Sequence, residues 1–193
     1  MNAKETWYNR LFETNWFDKE ELNEIMVSFY PLSVRKGTVL LCPENSCNRL
    51  YLIHKGALRT YFIHEKGVEK TRFIGFAGNV ITALSGFITG QPASEYVEAL
   101  EQSEVLVIDR NDFFRLVSTK QGMKSFYLDL LEKAYLHQNL KIEERLTSSA
   151  GQRLENLQKE APWYLWRISN KILASYLDVS PETLSRIKSG TIS

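Results

Sequence analysis

The chain of 193 residues is poor in the residues that build metal clusters and disulfide frameworks. It contains two cysteines, Cys42 and Cys47, and three histidines, His54, His64 and His137. Two cysteines cannot form a disulfide framework, and a four-cysteine zinc or iron–sulfur site is arithmetically impossible. The histidines are widely scattered and form no His-x-His pair, which argues against a metal-dependent enzyme. We therefore expect no metal site, and we expect the protein not to be an enzyme.

The chain also lacks a strong net charge and a convincing membrane segment. Its 24 Lys and Arg against 23 Asp and Glu give a net charge of +1, which excludes a broadly basic nucleic-acid coat but leaves room for local basic patches. The uncharged run 73–94 matches a membrane span in length, but its glycine, serine, threonine and asparagine content is too polar for hydrocarbon. The start of the chain has no apolar core of a signal peptide. We expect a cytoplasmic protein that makes no membrane contact.

Short apolar segments fill the first part of the chain. Asp18, with Glu21 three residues on, predicts a helix start. After Pro31, six short β-like segments alternate with turn residues, a pattern typical of an antiparallel barrel or jelly roll rather than of βαβ units. These segments are 38–41, 50–53, 58–63, 71–75, 96–100 and 105–108. From Asn111 helical periodicity takes over, so the predicted fold class is α+β: an N-terminal antiparallel jelly roll with flanking helices, followed by helices.

A long helix with an apolar stripe is predicted over about 121–147. The stripe is roughly 30 Å long at the standard helical rise, and it must pack either on its own barrel or on a second copy of the chain. We favour a homodimer, whose predicted interface contains Tyr127, Leu131, Ala134, Gln138 and Ile142. Residues 148–151 are predicted to form a hinge, which gives three domains: a sensor domain 1–120, a dimerisation helix 121–148 and a C-terminal domain 149–193.

The C-terminal domain carries a helix-turn-helix pattern. Ser169 caps one predicted helix, Asp178 lies in a tight turn that favours left-handed backbone, and Ser180 caps a second helix with Pro181 at its first position. Because Leu184 and Ile187 face inward, a polar face is left for DNA, although a helical hairpin with an ordinary solvated face gives the same pattern. The candidate DNA-binding residues are Ser180, Pro181, Glu182, Thr183, Ser185, Arg186 and Lys188. Two preceding aromatic residues, Trp163 and Trp166, either stack on bases or fill the core of the small domain.

An ordered series of motifs over residues 15–188 resembles the Crp/Fnr family of bacterial transcription regulators. The series comprises Lys36-Gly37, the segment YLIHKGALR at 51–59, Gly67, Phe76-Ala77-Gly78, the segment SEVLVI at 103–108, and Glu182-Thr183 with Arg186 where the family's base-reading residues lie. The resemblance implies a barrel like that of cyclic-nucleotide-binding domains, a dimerisation helix and a DNA-binding helix-turn-helix. It also implies three partners, namely double-stranded DNA, a second copy of the chain and RNA polymerase.

The chain departs from the family where cyclic AMP would bind. In members that bind it, a Gly-Glu pair opens a short helix and holds the ribose, and an Arg-Ser or Arg-Ala pair a dozen or so residues later holds the phosphate. Here we assign Gly78-Asn79 to the first pair and Ala93-Ser94 to the second, so we expect no cyclic AMP binding and no cofactor. The pocket either takes a less charged, unknown ligand or is filled by side chains. Its predicted lining is Phe76, Gly78, Asn79, Val80, Ile81, Ser94, Glu95, Tyr96 and Gln138.

Two further points bear on function. Family members usually continue past the recognition helix into a two-stranded wing, whereas residues 189–193 are too short for a hairpin, so we expect a truncated or absent wing. The three histidines could in principle ligate haem, but no spacing supports a ligand pair, and we expect surface or boundary residues. Two functions stay open: a homodimeric DNA-binding regulator that senses something other than cyclic AMP, and a ligand-binding or interaction module whose degenerate helix-turn-helix does not bind DNA.

Overall fold

The computed structural model describes residues 2–191. Over those residues the helices are α1 (Ala3–Phe12), α2 (Lys19–Met26), α3 (Leu84–Thr89), α4 (Arg110–Thr119), α5 (Gln121–Thr147), α6 (Ala150–Glu160), α7 (Tyr164–Arg167), α8 (Asn170–Tyr176) and α9 (Pro181–Lys188). The strands are β1 (Tyr30–Val34), β2 (Val39–Leu41), β3 (Arg49–Lys55), β4 (Ala57–Ile63), β5 (Glu69–Phe76), β6 (Val80–Ile81), β7 (Tyr96–Ala99) and β8 (Ser103–Asp109).

These elements form two compact units. The first unit runs to Tyr61 and resumes at Phe73–Glu132, and the second consists of Phe62–Arg72 and the chain from Lys133 onwards. The second unit therefore contains the tip of the β4–β5 hairpin as well as the C-terminal helices. The boundary inside α5 falls between Glu132 and Lys133.

Two four-stranded antiparallel sheets build the first unit. Their strand orders are β1-β8-β3-β6 and β2-β7-β4-β5, so strands distant in sequence are neighbours, as in a jelly roll; β1, for example, pairs Tyr30 with Val107 of β8. The predicted fold class is confirmed. All six predicted strands are present, while β1 and β6 were missed. Pro31 obscures β1, which lies at a sheet edge where proline is tolerated, and β6 is only two residues long and shows no periodicity.

Both faces of the sheet that contains β3 and β8 are buried. Ile53 and Val105 face the interior between the two sheets, whereas Leu52 and Leu106 face the opposite side and pack with the N-terminal helices. A strand buried on both faces is apolar at nearly every position, which explains the continuous runs LYLI and VLVI in the sequence. On the helical side, Asp18 caps α2 as predicted and accepts a 2.8 Å hydrogen bond from the Glu21 amide.

The uncharged run 73–94 folds into the end of β5, strand β6, helix α3 and their loops. Arg110 closes the C-terminus of α3 by donating from Nε to the Phe87 carbonyl at 2.6 Å and from Nη2 to the Ile88 carbonyl at 3.1 Å. No helix among residues 2–191 is long and apolar enough to cross a membrane.

Helix α5 has the predicted bounds, Gln121–Thr147. Its first turns are buried in the first unit through Gly122, Met123 and Phe126. Gly122 allows a close approach, because a Cβ atom there would lie 2.2 Å from the ring of Phe17. The later turns carry many exposed apolar side chains.

The C-terminal helices of the second unit enclose a small core. Ser149 caps α6 in a capping box with Gln152, so the predicted hinge at 148–151 shortens to Ser148 and Ser149. Of the two interpretations of the tryptophans, core filling is wrong, because Trp166 is 76% exposed and Trp163 is exposed as well. The apolar groups that fill this core are Leu154, Leu157, Tyr164, Ile168, Leu173, Tyr176, Leu177 and Leu184. The predicted loss of the wing stays a prediction, since Ile192 and Ser193 lie outside the described residues.

Candidate DNA-binding helices and sensor region

Helices α8 and α9 form the predicted helix-turn-helix. Ser169 caps α8 by accepting from the Ile172 amide at 3.4 Å. Asp178 lies in the turn with φ +57°, in the left-handed region that aspartate tolerates better than most residues. The turn is closed by the Val179 amide, which donates to the Ala174 carbonyl at 3.0 Å.

Helix α9 begins as the sequence predicts and presents a polar face. Ser180 accepts from the Thr183 amide at 3.1 Å, and Pro181 occupies the first turn. Leu184 is buried in the core of the unit, which leaves Glu182 and Arg186 exposed one turn apart. The hydrogen bond with Ser180, followed by one with the backbone of Glu182 itself, lowers the pKa of the Glu182 carboxyl, so this side chain is an anionic hydrogen-bond acceptor at neutral pH.

Other predicted DNA-binding side chains are engaged within the domain. The hydroxyls of Ser180 and Thr183 lie 3.1 Å apart, and Lys188 donates from Nζ to Asn170 Oδ1 at 2.6 Å. Phosphate contacts from Ser180, Thr183 or Lys188 must therefore compete with these internal bonds. Pro181, Glu182, Ser185 and Arg186 keep exposed positions.

One basic residue near this face escaped the sequence analysis. Lys171 lies in the first turn of α8, directly after Ser169 and Asn170, with a side chain that is 72% exposed. The signal was its place directly after the predicted cap Ser169, in the first turn of the helix that crosses the DNA backbone in helix-turn-helix proteins.

In the first unit, the structure corrects the assignment of the pair that opens the short helix. Helix α3 begins at Leu84 with Ala83 at its N-cap, so the preceding pair is Thr82-Ala83. Gly78 and Asn79 form the turn between β5 and β6, where Asn79 Oδ1 accepts from the Phe76 amide at 2.9 Å. The assignment failed because the two-residue strand β6 separates this turn from the helix, and nothing in the sequence marks so short a strand.

The residues around the start of α3 are uncharged, and they are either small or already hydrogen-bonded within the unit. Thr82 donates from Oγ1 to the Arg49 carbonyl at 2.8 Å and lies 3.1 Å from Cys47 Sγ. Ala93, to which the sequence analysis assigns the family's arginine position, is buried beside α3, since a Cβ atom on Gly86 would lie 3.3 Å from its Cα. Burial raises the pKa of the Cys47 thiol, which therefore stays protonated at neutral pH.

The remaining residues predicted to line the pocket do not share one surface. Ile81 faces the interior between the sheets, but Val80 points to the opposite, helix-packed side, because successive strand residues alternate. Gly78 is covered by α1, where a Cβ atom would lie 2.3 Å from Arg10 Nη1. Tyr96 stacks on Tyr61 with ring centroids 4.9 Å apart. The others comprise buried Phe76 and Glu95 and exposed Ser94 and Gln138, of which Gln138 belongs to the second unit.

A separate cleft of about 360 Å³ opens in the first unit beside β2 and the loop that follows it. Its walls include Cys42, Cys47, Arg49, Tyr51 and Asp109, so none of the residues predicted to line the sensor pocket borders it.

Comparison with known proteins identifies the family. Residues 31–120 match the profile of the cyclic nucleotide-binding domain. The transcriptional regulator named flp from Lacticaseibacillus casei is 30% identical over 170 residues, which cover 79% of this chain and 72% of that protein. The chain belongs to the Crp/Fnr family. Among solved structures, FixK2 from Bradyrhizobium japonicum superposes with a TM-score of 0.74 at 17% identity, covering 84% of this chain and 83% of that one. A Crp/Fnr-family regulator from Eubacterium rectale superposes with a TM-score of 0.72 at 18% identity, covering 90% of this chain and 82% of that one.

Helix α5 carries a row of exposed apolar side chains. Leu128, Tyr135 and Ile142 recur every seven residues, with Leu146 four residues further, and all four are exposed. Of the residues predicted for the interface, Tyr127 packs within its own unit, 5.7 Å from the rings of Phe113 and Phe114. Leu131 and Ala134 are half-buried, and Gln138 is exposed beside the row.

Two of the three histidines make specific contacts within their own units. Over residues 2–191, no group of three or more His, Cys, Asp or Glu is placed to hold a metal ion. His54 is buried on β3, 3.8 Å from Glu104. His137 lies 3.5 Å from the Tyr176 hydroxyl, and burial, followed by the charge of Lys141, lowers the pKa of its imidazole.

Proposed function

We propose that this Crp/Fnr chain is a homodimeric regulator that reads promoter DNA through α9. The observation that carries the proposal is the pair Glu182 and Arg186, both exposed and one turn apart on a correctly capped helix. In the major groove, arginine donates two hydrogen bonds to guanine and glutamate accepts one from the cytosine amino group. Such a pair reads two neighbouring base pairs in each half-site.

The exposed row on α5 supports the dimer. Leu128, Tyr135, Ile142 and Leu146 are exposed on one chain, and a row at this spacing matches a second copy of itself in a coiled-coil seam. A two-fold dimer carries two recognition helices, which bind half-sites about one DNA turn apart. Other Crp/Fnr regulators bind DNA as dimers, which is a precedent for this arrangement.

The sensor region supports a ligand other than cyclic AMP. The positions that precede and face α3 hold Thr82, Ala83 and Ala93, in place of a carboxylate for the ribose and a guanidinium for the phosphate. A lost hydrogen bond to a charged group costs about 1.5–3 kcal/mol, and two such contacts are missing. The effector is therefore a less charged molecule, or the site is occupied by side chains.

The test is the binding of the dimer to the DNA upstream of its own gene, measured by fluorescence anisotropy. Arg186→Ala is expected to weaken binding by about 1–3 kcal/mol, or roughly 5- to 150-fold, and to relax preference at one base pair per half-site. Arg115→Ala is the matched control, because it removes the same charge from an exposed site on α4. Equal binding by both variants would overturn the recognition-helix assignment.

A second variant separates base reading from phosphate binding. Lys188→Ala should weaken binding to all sequences alike and lower the salt slope by about one, since a phosphate contact carries no sequence information. If Lys188→Ala instead changes base preference, the division of roles on α9 is wrong.

A further inference from the structure

The tip of the β4–β5 hairpin is held against the first helix of the helix-turn-helix. Within the second unit, the Thr71 amide donates to Ser175 Oγ at 2.8 Å, and Ser175 Oγ donates to the Glu69 carbonyl at 2.9 Å. Thr71 is buried at this contact. Because the hydrogen bonds use hairpin backbone, they fix the position of the hairpin along α8 whatever the neighbouring side chains are.

Ion pairs flank this contact on both sides. Lys171 donates to Glu69 Oε1 at 2.9 Å, and Lys70 pairs with Asp178, which also attracts Arg145. On α8 and its turn, the contacting residues 171, 175 and 178 follow at intervals of four and three, so they lie on one face. The hairpin thus lines the whole length of that face, while the α9 residues Glu182 and Arg186 remain exposed.

Lys171 is the side chain in this contact that DNA would also use. It lies in the first turn of α8, and the first helix of a helix-turn-helix crosses the DNA backbone. Lysines at such positions bind phosphate and set the register of the protein on DNA. The Glu69 carboxylate therefore pairs with the Lys171 ammonium group in the way that a phosphate oxygen would.

We propose that Glu69 is an autoinhibitory counter-ion, which competes with a DNA phosphate for Lys171. This inference rests on the proposed DNA-binding function. The hairpin backbone holds the carboxylate close to the lysine, and DNA binding replaces the Glu69–Lys171 pair by a phosphate–Lys171 pair. Glu69 is the first residue of strand β5.

The experiment compares two variants that change the net charge of the hairpin equally. Glu69→Gln removes the carboxylate that pairs with Lys171, whereas Glu65→Gln removes an exposed carboxylate at the hairpin tip that makes no ion pair within residues 2–191. A short duplex of mixed sequence and the fragment upstream of the gene serve as probes over a range of salt concentrations. Glu69→Gln should bind both about two- to fivefold more tightly than Glu65→Gln and show a salt slope steeper by about one.

The same two variants made in the Lys171→Gln protein complete a double-mutant cycle. There Glu69→Gln should give no gain over Glu65→Gln, because the lysine that it releases is gone. If Glu69→Gln and Glu65→Gln bind alike while the wild type binds DNA in an Arg186-dependent manner, the autoinhibitory role is overturned and the proposed function stands. If neither the wild type nor Glu69→Gln binds DNA, the proposed function is overturned and the inference falls with it.

Discussion

The exposed row on α5 predicts how far one conservative substitution weakens the proposed dimer. Leu128 is 59% exposed on the single chain, and in the proposed dimer it packs against its counterpart in the partner. Leu128→Ala removes most of that apolar surface and leaves a residue of the highest helix propensity. The fold of the single chain should therefore be unaffected, and the change should act on association alone.

The magnitude follows from the surface that the dimer would bury. Complete burial of a leucine side chain is worth about 1.5–3 kcal/mol. With 59% of Leu128 available and one carbon kept by alanine, the loss is about 1 kcal/mol per copy. A two-fold dimer contains two copies, so the expected loss is about 2 kcal/mol, or a roughly 30-fold rise in the dimer dissociation constant.

Sedimentation equilibrium measures that constant directly. The control is Val27→Ala, which shortens an exposed apolar side chain away from the α5 row, at the C-terminus of α2, where Val27 is 81% exposed. The dissociation constant of this control should match that of the wild type. If Leu128→Ala and Val27→Ala dimerise equally well, or if the wild type is monomeric at tens of micromolar, α5 is not the dimer interface.

Two further predictions concern the turn and the sensor region. Asp178→Asn keeps a residue that tolerates the left-handed turn and removes only the ion pairs, so calorimetric melting should show less destabilisation than for Asp178→Ala, which adds about 1 kcal/mol of backbone strain. The hydrogen bond from Lys70 lowers the pKa of Asp178 from its usual 3.8. The stability that the ionised carboxylate contributes is therefore present above pH 3.8 and is lost as the pH falls through the lowered pKa of the folded protein. Asp178→Asn should abolish this dependence of stability on pH. In the sensor region, calorimetry should show no micromolar cyclic AMP binding by the wild type or by Asn79→Glu combined with Ala93→Arg, since Asn79 lies in the β5–β6 turn; micromolar binding by either protein would refute this assignment.

Much of the fold could be predicted because local signals and tertiary structure agree. The start of α2 at Asp18 and the capped helices on both sides of Asp178 follow from side chains that accept hydrogen bonds from nearby backbone amides. The 27 residues of α5 follow from the helical spacing of its apolar side chains. Strand β6 and the place where the short helix α3 begins could not be predicted, because pairing with β3 and packing of Gly86 against Ala93 determine them. Those contacts join segments far apart in sequence.

The candidate site was predicted less completely than the fold. The exposed polar face of α9 could be predicted, since Leu184 and the cap at Ser180 fix which side is buried. No local pattern predicts that Lys188 is bonded to Asn170, or that Lys171 pairs with Glu69, 102 positions away in the sequence. On α5, the predicted interface shares Ile142 with the exposed row, whereas Tyr127 and Ala134 lie one position before Leu128 and Tyr135. Helical spacing alone does not say which apolar side of the helix is covered by its own unit.

The central claim, that two copies of α9 read a defined DNA sequence, is tested most directly by selection from a random duplex library. The wild type should enrich an inverted repeat whose half-site centres are about 10 base pairs apart, and Arg186→Ala should enrich the same repeat with one base pair per half-site left unspecified. Failure of the wild type to enrich any sequence, or an identical motif from Arg186→Ala, would contradict the account.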